Sequence, residues 1–276
     1  MANLLSKAWA QLVVLLAQSP APASVQTFPV LRNFILDVMA EGRRKNLIHL
    51  MFEVELTPIR QYLADYARLQ GEPLSMTAYL AKSLADAVHE HKHMHAYRQG
   101  KSQLIVFDEV DLAVMVEREV NGHLMPTNII VRNAGRKSIQ QVAREIRSAK
   151  TAVIGDAGPL PALDMLFFQM PRFLRRAVWW YLRRDPQAFK QIAGTVAVTS
   201  MGMHAQGAAV VIPVTPMTLT LSIGGSYRSV KMHNGDPVEC EMLQMNFSAD
   251  HDIIDGAPLM RFVEQYKQVL VQRAAE

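Results

Sequence analysis

Length, composition and charge limit what this chain can be. Its 276 residues are 50% hydrophobic and 20% charged, which excludes global disorder and allows one large domain with a sizeable core. The formal net charge of +4 is too mild to predict nucleic-acid binding, although it suits an anionic ligand. The single cysteine, Cys240, excludes an intramolecular disulfide, so a reducing, cytoplasmic setting is expected.

Residues 1–27 are predicted to form a helical arm followed by a Pro/Ala linker. Apolar residues recur at helical spacing over residues 5–16, and the run is too short to span a bilayer. A basic Lys7 before an apolar stretch also resembles a secretory signal. Because Gln11 interrupts that stretch, we favour an amphipathic docking helix over a cleaved signal.

The remainder, residues 28–276, is predicted to form one α/β or α+β domain. Apolar periodicity predicts helices at residues 32–45, 58–69, 77–90, 138–152 and 258–271, the fourth with Ser138 as its N-cap. Runs rich in β-branched residues predict strands at residues 48–56, 104–107, 110–116, 128–131, 194–200, 217–223 and 238–247.

Residues 159–193 are predicted to be an insert in this domain. Its segment 170–184 combines two adjacent tryptophans with two pairs of arginines. That composition fits an amphipathic helix that docks on a membrane surface or on a protein partner. The alternative, which we favour, is a helix packed on its own protein, with arginine stems covering apolar area.

The first candidate for chemistry is His251, which lies between a predicted strand and a predicted helix. Asp255 follows at the i+4 position, and Asp250 and Asp252 flank the ring and would favour its protonated form. Gly256 would permit close backbone approach or an unusual φ. A histidine in this setting can act as a general base, whereas Asp255 can equally be a carboxylate favoured by a helix N-terminus.

The second candidate is Thr199, one of two hydroxyl residues at the end of the strand 194–200. A hydroxyl at a strand end can donate a hydrogen bond to an oxyanion that develops during a reaction. Strands also end in threonine, serine and glycine simply because these residues favour turns.

Three other features predict structure rather than chemistry. His89, His91, His93 and His95 alternate with other residues, a spacing that suits one strand face, so we expect solvated surface histidines and no metal site. Gly224-Gly225 lacks a phosphate-loop pattern and predicts a turn or bulge. Cys240 lies in an alternating strand and is expected in the core.

Several motifs resemble the catalytic domain of the 2-oxoacid dehydrogenase acyltransferases. Residues 250–256, Asp-His-Asp-Ile-Ile-Asp-Gly, resemble the family's Asp-His-Arg-x-x-Asp-Gly and, more distantly, the His-His-x-x-x-Asp-Gly of the chloramphenicol acetyltransferases. Residues 194–202 resemble its Gly-Thr-Phe-Thr-Ile-Ser-Asn-Leu-Gly. Arg32, Ile35 and Met39 match the spacing of its Arg-x-x-Ile-x-x-x-Met helix. The resemblance covers residues 28–273.

The resemblance implies a chloramphenicol acetyltransferase-like two-layer sandwich with a mixed β-sheet. It implies acyl transfer with coenzyme A or acyl-CoA as a substrate and without a metal. His251 would be the general base, Thr199 the oxyanion donor, and Asp255 an orienting residue paired with Arg32. The family's active site lies between subunits, which implies a homotrimer whose acceptor is a dihydrolipoyl group, a carrier-protein thiol, or a small alcohol or amine.

The chain departs from the family pattern at several points. Asp252 stands where the family usually has arginine, and the insert 159–193 is longer than the usual connection. The chain has no lipoyl domain, hence no covalently bound lipoyl group is expected, and its C-terminus predicts an isolated trimer. The alternative function is a non-catalytic assembly or membrane-docking scaffold, although such a scaffold would not need both His251 and Thr199.

Overall fold

The computed structural model describes residues 24–25, 28, 32–120, 123–151, 167, 169–200, 207–233 and 235–275. The predicted arm and linker at residues 1–27 lie almost entirely outside these ranges, and their structure stays a prediction. No helix within the described ranges is both long enough and apolar enough to cross a bilayer.

The helices follow the predicted apolar periodicity closely, and two of them begin at serine caps. Ser75 Oγ accepts a hydrogen bond from Ala78 N at 3.2 Å. Ser138 caps its helix reciprocally with Gln141, through bonds of 3.2 and 2.8 Å, which confirms the predicted N-cap. The helices are α1 (Arg32–Gly42), α2 (Thr57–Gln70), α3 (Met76–Glu90), α4 (Ile139–Thr151), α5 (Arg172–Arg184), α6 (Pro186–Ala193) and α7 (Gly256–Ala274).

The main sheet has six strands and is mixed, as predicted. Its order is β1-β8-β7-β6-β4-β5; β6 runs parallel to β4 and β7, and the other pairs are antiparallel. A separate hairpin pairs β2 with β3. The strands are β1 (Leu47–Glu55), β2 (Tyr97–Gln99), β3 (Gln103–Ile105), β4 (Leu112–Val120), β5 (His123–Val131), β6 (Val196–Ser200), β7 (Leu219–His233) and β8 (Asp236–Asp250).

The principal core lies between one face of this sheet and helices α2, α3, α4 and α7. Phe247 on β8 stacks on Phe52 of β1 at 5.2 Å between ring centroids and meets Phe262 and Tyr266 of α7. Each such buried side chain contributes about 1.5–3 kcal/mol. The hydroxyl of Tyr266 donates to the Leu80 carbonyl at 3.1 Å, which fixes α7 against α3.

A second apolar cluster covers part of the opposite sheet face, and it is built by α1, α5 and α6. Trp179 of α5 stacks on Phe34 of α1 at 6.2 Å, and both pack with residues of the sheet. Arg175 is buried in the same contact and donates to Asp37 Oδ2 at 2.7 Å. One side of the predicted insert therefore packs on its own protein, as we favoured from the sequence.

The glycine pair at 224–225 forms the predicted bulge in β7. The register with β8 shifts between Ile223 and Ser226. A Cβ added to Gly224 would lie 2.1 Å from the Ala209 carbonyl oxygen, and Gly225 N donates to that oxygen at 2.9 Å. Because glycine has no side chain, the backbone at Ala209 can lie directly against the sheet at this bulge.

The prediction of one strand face with solvated histidines at positions 89, 91, 93 and 95 is wrong for the strand and for His95, whereas His93 is exposed as predicted. His89 lies in the last turn of α3, and His93 and His95 belong to a 3₁₀ turn at Lys92–His95 rather than to a strand. His95 is fully buried instead of solvated, with Nδ1 3.0 Å from Thr195 Oγ1. Burial lowers the pKa of His95 from 6.5 to about 4, and the nearby Lys190 adds to this effect.

The buried His95 predicts a loss of stability in mild acid. The unfolded chain binds a proton at this ring below pH 6.5, whereas the folded chain does so only at about pH 4. Stability is thus fully present above pH 6.5 and falls by up to about 3 kcal/mol towards pH 4. Melting temperatures across this window, at fixed protein concentration, should fall less steeply for His95→Gln than for the wild type. An identical pH slope in both proteins would contradict the prediction.

Candidate functional site

The turn that follows β8 carries His251, and it is fixed to the connection between α1 and β1. His251 N donates to the Asn46 carbonyl at 2.7 Å. Asp250, which is buried, accepts from Lys45 Nζ at 2.6 Å. These bonds hold the backbone on both sides of the ring, so His251 projects from a rigid support.

The His251 ring lies beside Asp255 and is accessible to solvent. Nδ1 is 3.7 Å from Asp255 Oδ1, and the two side chains are 46% and 82% exposed. Among the described residues, no group hydrogen-bonds to Nε2 of this ring. The pair comes together across a turn, not along a helix as the i+4 spacing suggested. An imidazole with a carboxylate near one nitrogen and the other nitrogen open can take a proton from a thiol or hydroxyl.

Asp252, which departs from the family pattern, also supports this turn. Its Oδ1 accepts from Asn46 Nδ2 at 2.9 Å, and its Oδ2 lies 3.7 Å from an Arg98 guanidinium nitrogen. Asp250 and Asp252 are therefore engaged by Lys45, Asn46 and Arg98, a structural role that the sequence analysis did not assign. These supporting residues lie far from the turn in sequence, and no local signal identifies them.

Gly256 does not have the role that the sequence suggested, and the predicted pairing of Arg32 with Asp255 is not seen among the described residues of one copy. A Cβ added to Gly256 would meet no atom within 4 Å, and its φ is not positive, so neither predicted reason for this glycine holds. Arg32 is exposed at the start of α1. The ion pairs of the described residues include none between Arg32 and Asp255, and that pairing stays a prediction.

Thr199 lies on the sheet face opposite the principal core. Val196 and Val198 of β6 are buried in that core, so alternation turns Thr199 to the other face. Its register partner on β7 is Ser222, which pairs in turn with Asn246 of β8. Thr199 Oγ1 contacts Met115 Sδ at 3.8 Å. Thioether sulfur is a weak acceptor, so this hydroxyl stays available for a stronger one.

A row of polar side chains continues from Thr199 across this face. Ser248 Oγ lies 2.8 Å from Nδ1 of His49 and accepts from Asn246 Nδ2 at 2.9 Å. Ser222 Oγ and Asn246 Oδ1 are buried and have no hydrogen-bond partner among the described residues. The sequence did not lead us to predict this row. Its signal is the polar residue at every second position of β8 from 244 to 250, which indicates a polar face.

The two candidate residues do not meet within one copy of the chain. Across the sheet, Thr199 on β6 is level with Asn246 on β8, two strands away. His251 lies five residues beyond Asn246 along the chain. Strand spacing and rise place their backbones roughly 15–20 Å apart. One reacting carbonyl cannot contact both residues of the same copy.

The larger of the described cavities lies away from His251. A cavity of about 650 Å³ opens at the other end of β8 and is lined by Thr57, Tyr227 and the buried Cys240, among others. Cys240 is buried, as predicted, and lies near the start of β8, whereas His251 follows the end of that strand. Within the described ranges, no group of three His, Cys, Asp or Glu residues could hold a metal ion.

A family model described as "2-oxoacid dehydrogenases acyltransferase (catalytic domain)" matches residues 22–156 and 185–275. The segment between the two matches, residues 157–184, contains α5 and overlaps the predicted insert. Residues 159–184 of the predicted insert thus lie outside the family match, whereas its last nine residues, 185–193, lie within it.

Curated relatives share this region at low identity. The lipoamide acyltransferase component of the branched-chain alpha-keto acid dehydrogenase complex of Bacillus subtilis (strain 168) is 24% identical over 225 residues, which cover 80% of this chain and 45% of that protein. The dihydrolipoyllysine-residue acetyltransferase component of the acetoin cleaving system of the same organism is 24% identical over 207 residues, covering 74% and 43%. The chain spans about half the length of the curated relatives it matches.

Solved structures share the fold. A probable dihydrolipoamide acetyltransferase from Listeria monocytogenes has a TM-score of 0.68 at 18% identity, covering 93% of this chain and 98% of that one. The cubic core of a pyruvate dehydrogenase multienzyme complex has a TM-score of 0.64 at 15% identity, with the same coverage. These likenesses, with the mixed sheet, confirm the predicted two-layer fold class.

Proposed function

Because the chain belongs to the family of 2-oxoacid dehydrogenase acyltransferase catalytic domains, we propose that it transfers an acyl group between a coenzyme A thioester and a thiol acceptor. The observation that carries the proposal is the His251–Asp255 pair, with Nδ1 beside the carboxylate and the other ring nitrogen open to solvent. A non-catalytic scaffold, the rival function, has no need for such a pair.

The proposed reaction passes directly from donor to acceptor. His251 Nε2 takes the proton of the acceptor thiol as its sulfur attacks the thioester carbonyl. The Thr199 hydroxyl donates to the oxyanion that forms, an interaction that strengthens towards the transition state. The intermediate then expels the coenzyme A thiolate, which recovers the proton from His251.

We propose that the working unit is a homotrimer in which His251 of one copy faces Thr199 of the next. The separation of the two residues within one copy supports this arrangement, because each copy alone holds half a site. The ribbon formed by the far ends of β7 and β8 supports it further. Val230 and Met232 on this ribbon are 65% and 67% exposed, which suits burial against another subunit.

The acceptor of this proposed reaction is a dihydrolipoyl group or another carrier thiol. The names of the two curated relatives, which contain lipoamide and dihydrolipoyllysine, support this class of acceptor. A small alcohol or amine is the alternative acceptor. The proposed location is the cytoplasm, since the one cysteine, Cys240, suits a reducing compartment.

The test is a panel of acyl-CoA thioesters assayed for release of the coenzyme A thiol, with and without dihydrolipoamide or a small alcohol. We expect release that depends on the acceptor, and the panel identifies the acyl group. Boiled protein and reactions without acceptor provide the baseline. No release with any pair, combined with no binding of any acyl-CoA, would overturn the proposal.

A further inference from the structure

Helix α5 presents an apolar aromatic face to solvent, although its other side is firmly packed. Phe173 is 69% exposed, Trp180 52% and Tyr181 53%. On the inner side, Trp179, Leu182 and the Arg175–Asp37 ion pair fix the helix to the body of the domain. The exposed aromatic rings therefore point outward because the helix cannot roll to bury them.

The outward residues form one continuous stripe. Residues 173, 177, 180 and 184 are spaced by four, three and four positions, which places them on one line along an α-helix. Tyr181 and Leu174 border the stripe on one side, and Arg176 borders it on the other. We call these seven residues the outer face of α5.

The charge on this helix is entirely basic. Residues 170–184 contain five arginines and no acidic residue. Asp37 pairs with Arg175, and Glu41 pairs with Arg183 at 2.6 Å, which uses two of the five. Arg176 and Arg184 are exposed, and the Arg184 guanidinium lies 3.6 Å from the centre of the Trp180 ring. The outer face thus combines aromatic rings with cations that no acid on the helix neutralises.

We propose that the outer face of α5 docks flat on an anionic phospholipid surface. Aromatic rings at the level of the headgroups, with arginines that reach lipid phosphates, are the composition of a helix that lies in the membrane interface. The lipid is favoured over a protein occupant because the unneutralised arginines require a surface that is negative over the whole length of the helix. The helix also lies in the segment that the acyltransferase family pattern omits.

Docking in this orientation would bring the candidate active site close to the lipid. Gln99 Nε2 donates to the Arg184 carbonyl at 3.3 Å, which joins β2 to the C-terminal end of α5. The preceding residue, Arg98, contacts Asp252 in the turn that carries His251. The same short strand thus joins the lipid-binding helix to the catalytic turn.

Flotation with vesicles tests the proposal on the full chain. The wild type should float with vesicles of phosphatidylcholine and phosphatidylglycerol in equal amounts, and much less with phosphatidylcholine alone. The variant Arg176→Gln/Arg184→Gln should partition about thirtyfold more weakly into the anionic vesicles, because each arginine near the surface contributes a comparable attraction. Phe173→Ser/Trp180→Ser should lose binding at physiological salt, because its apolar anchors are gone.

A matched control separates the helix from general surface effects. Arg68→Gln/Leu69→Ser changes one exposed arginine and one exposed apolar residue at the end of α2, with 75% of the Arg68 side chain and 75% of Leu69 accessible. It should float like the wild type. Failure of the wild type to float, or equal flotation of all variants, would overturn the proposal. A smaller oligomer for Phe173→Ser/Trp180→Ser in light scattering would show that a second copy covers this face instead, which would also overturn it.

Discussion

Replacing His251 with alanine should lower acceptor-dependent acyl transfer by about a thousandfold, within the range of roughly 10² to 10⁴ typical of a lost general base. The turn is fixed through the backbone of His251, which donates to the Asn46 carbonyl, and the side chain is exposed. Removal of the ring should therefore leave the fold intact. The thiol must then ionise without help, which slows its attack on the thioester. Initial rates of coenzyme A thiol release, at saturating donor and acceptor, measure the effect.

The control for this change is His93→Ala, which removes another exposed histidine outside the candidate site. It should retain wild-type rates, and both variants should keep the wild-type melting temperature. A general base acts on kcat, whereas a binding residue acts on KM. If His251→Ala kept the wild-type kcat, His251 would not be the general base, even if KM for the thiol rose.

The sequence predicts best those features whose causes are local. Ser138 predicts the start of its helix because its hydroxyl accepts a hydrogen bond from the backbone amide of Gln141, only three residues later. Gly224-Gly225 predicts a bulge because few other residues tolerate such close backbone approach. The motif around His251 is similarly compact, and the resemblance drawn from it led to the correct fold class.

Features that depend on distant pairing could not be predicted in the same way. Asp250 interacts with Lys45 because β1 pairs with β8, two strands nearly two hundred residues apart. The alternation of histidines before His95 matches a strand, yet the preceding helix and the burial of this ring impose a 3₁₀ turn. The strand predicted to end at residue 223 continues as β7 to His233, because it pairs with β8 along this whole length.

Replacing Thr199 with alanine should lower the rate by about 10²–10³, the usual cost of losing one oxyanion donor. Thr199→Ser should retain most of the activity, because serine keeps the hydroxyl and the alternation along β6 turns it to the same face of the sheet. The loss should appear in kcat with little change in KM, since the interaction matters chiefly when the oxyanion forms. Steady-state kinetics of the two variants beside the wild type provide the measurement.

Mixing two inactive variants tests whether the site is shared between copies. His251→Ala and Thr199→Ala, denatured and refolded together in equal amounts, should recover about a quarter of wild-type activity, because an intact interface needs His251 from one variant and Thr199 from the other. Each variant refolded alone serves as the control and should stay inactive. If both residues acted within a single copy, no mixture could contain a complete site. Recovered activity would therefore require that neighbouring copies complete each other's site, and its absence in correctly assembled mixtures would contradict the shared arrangement.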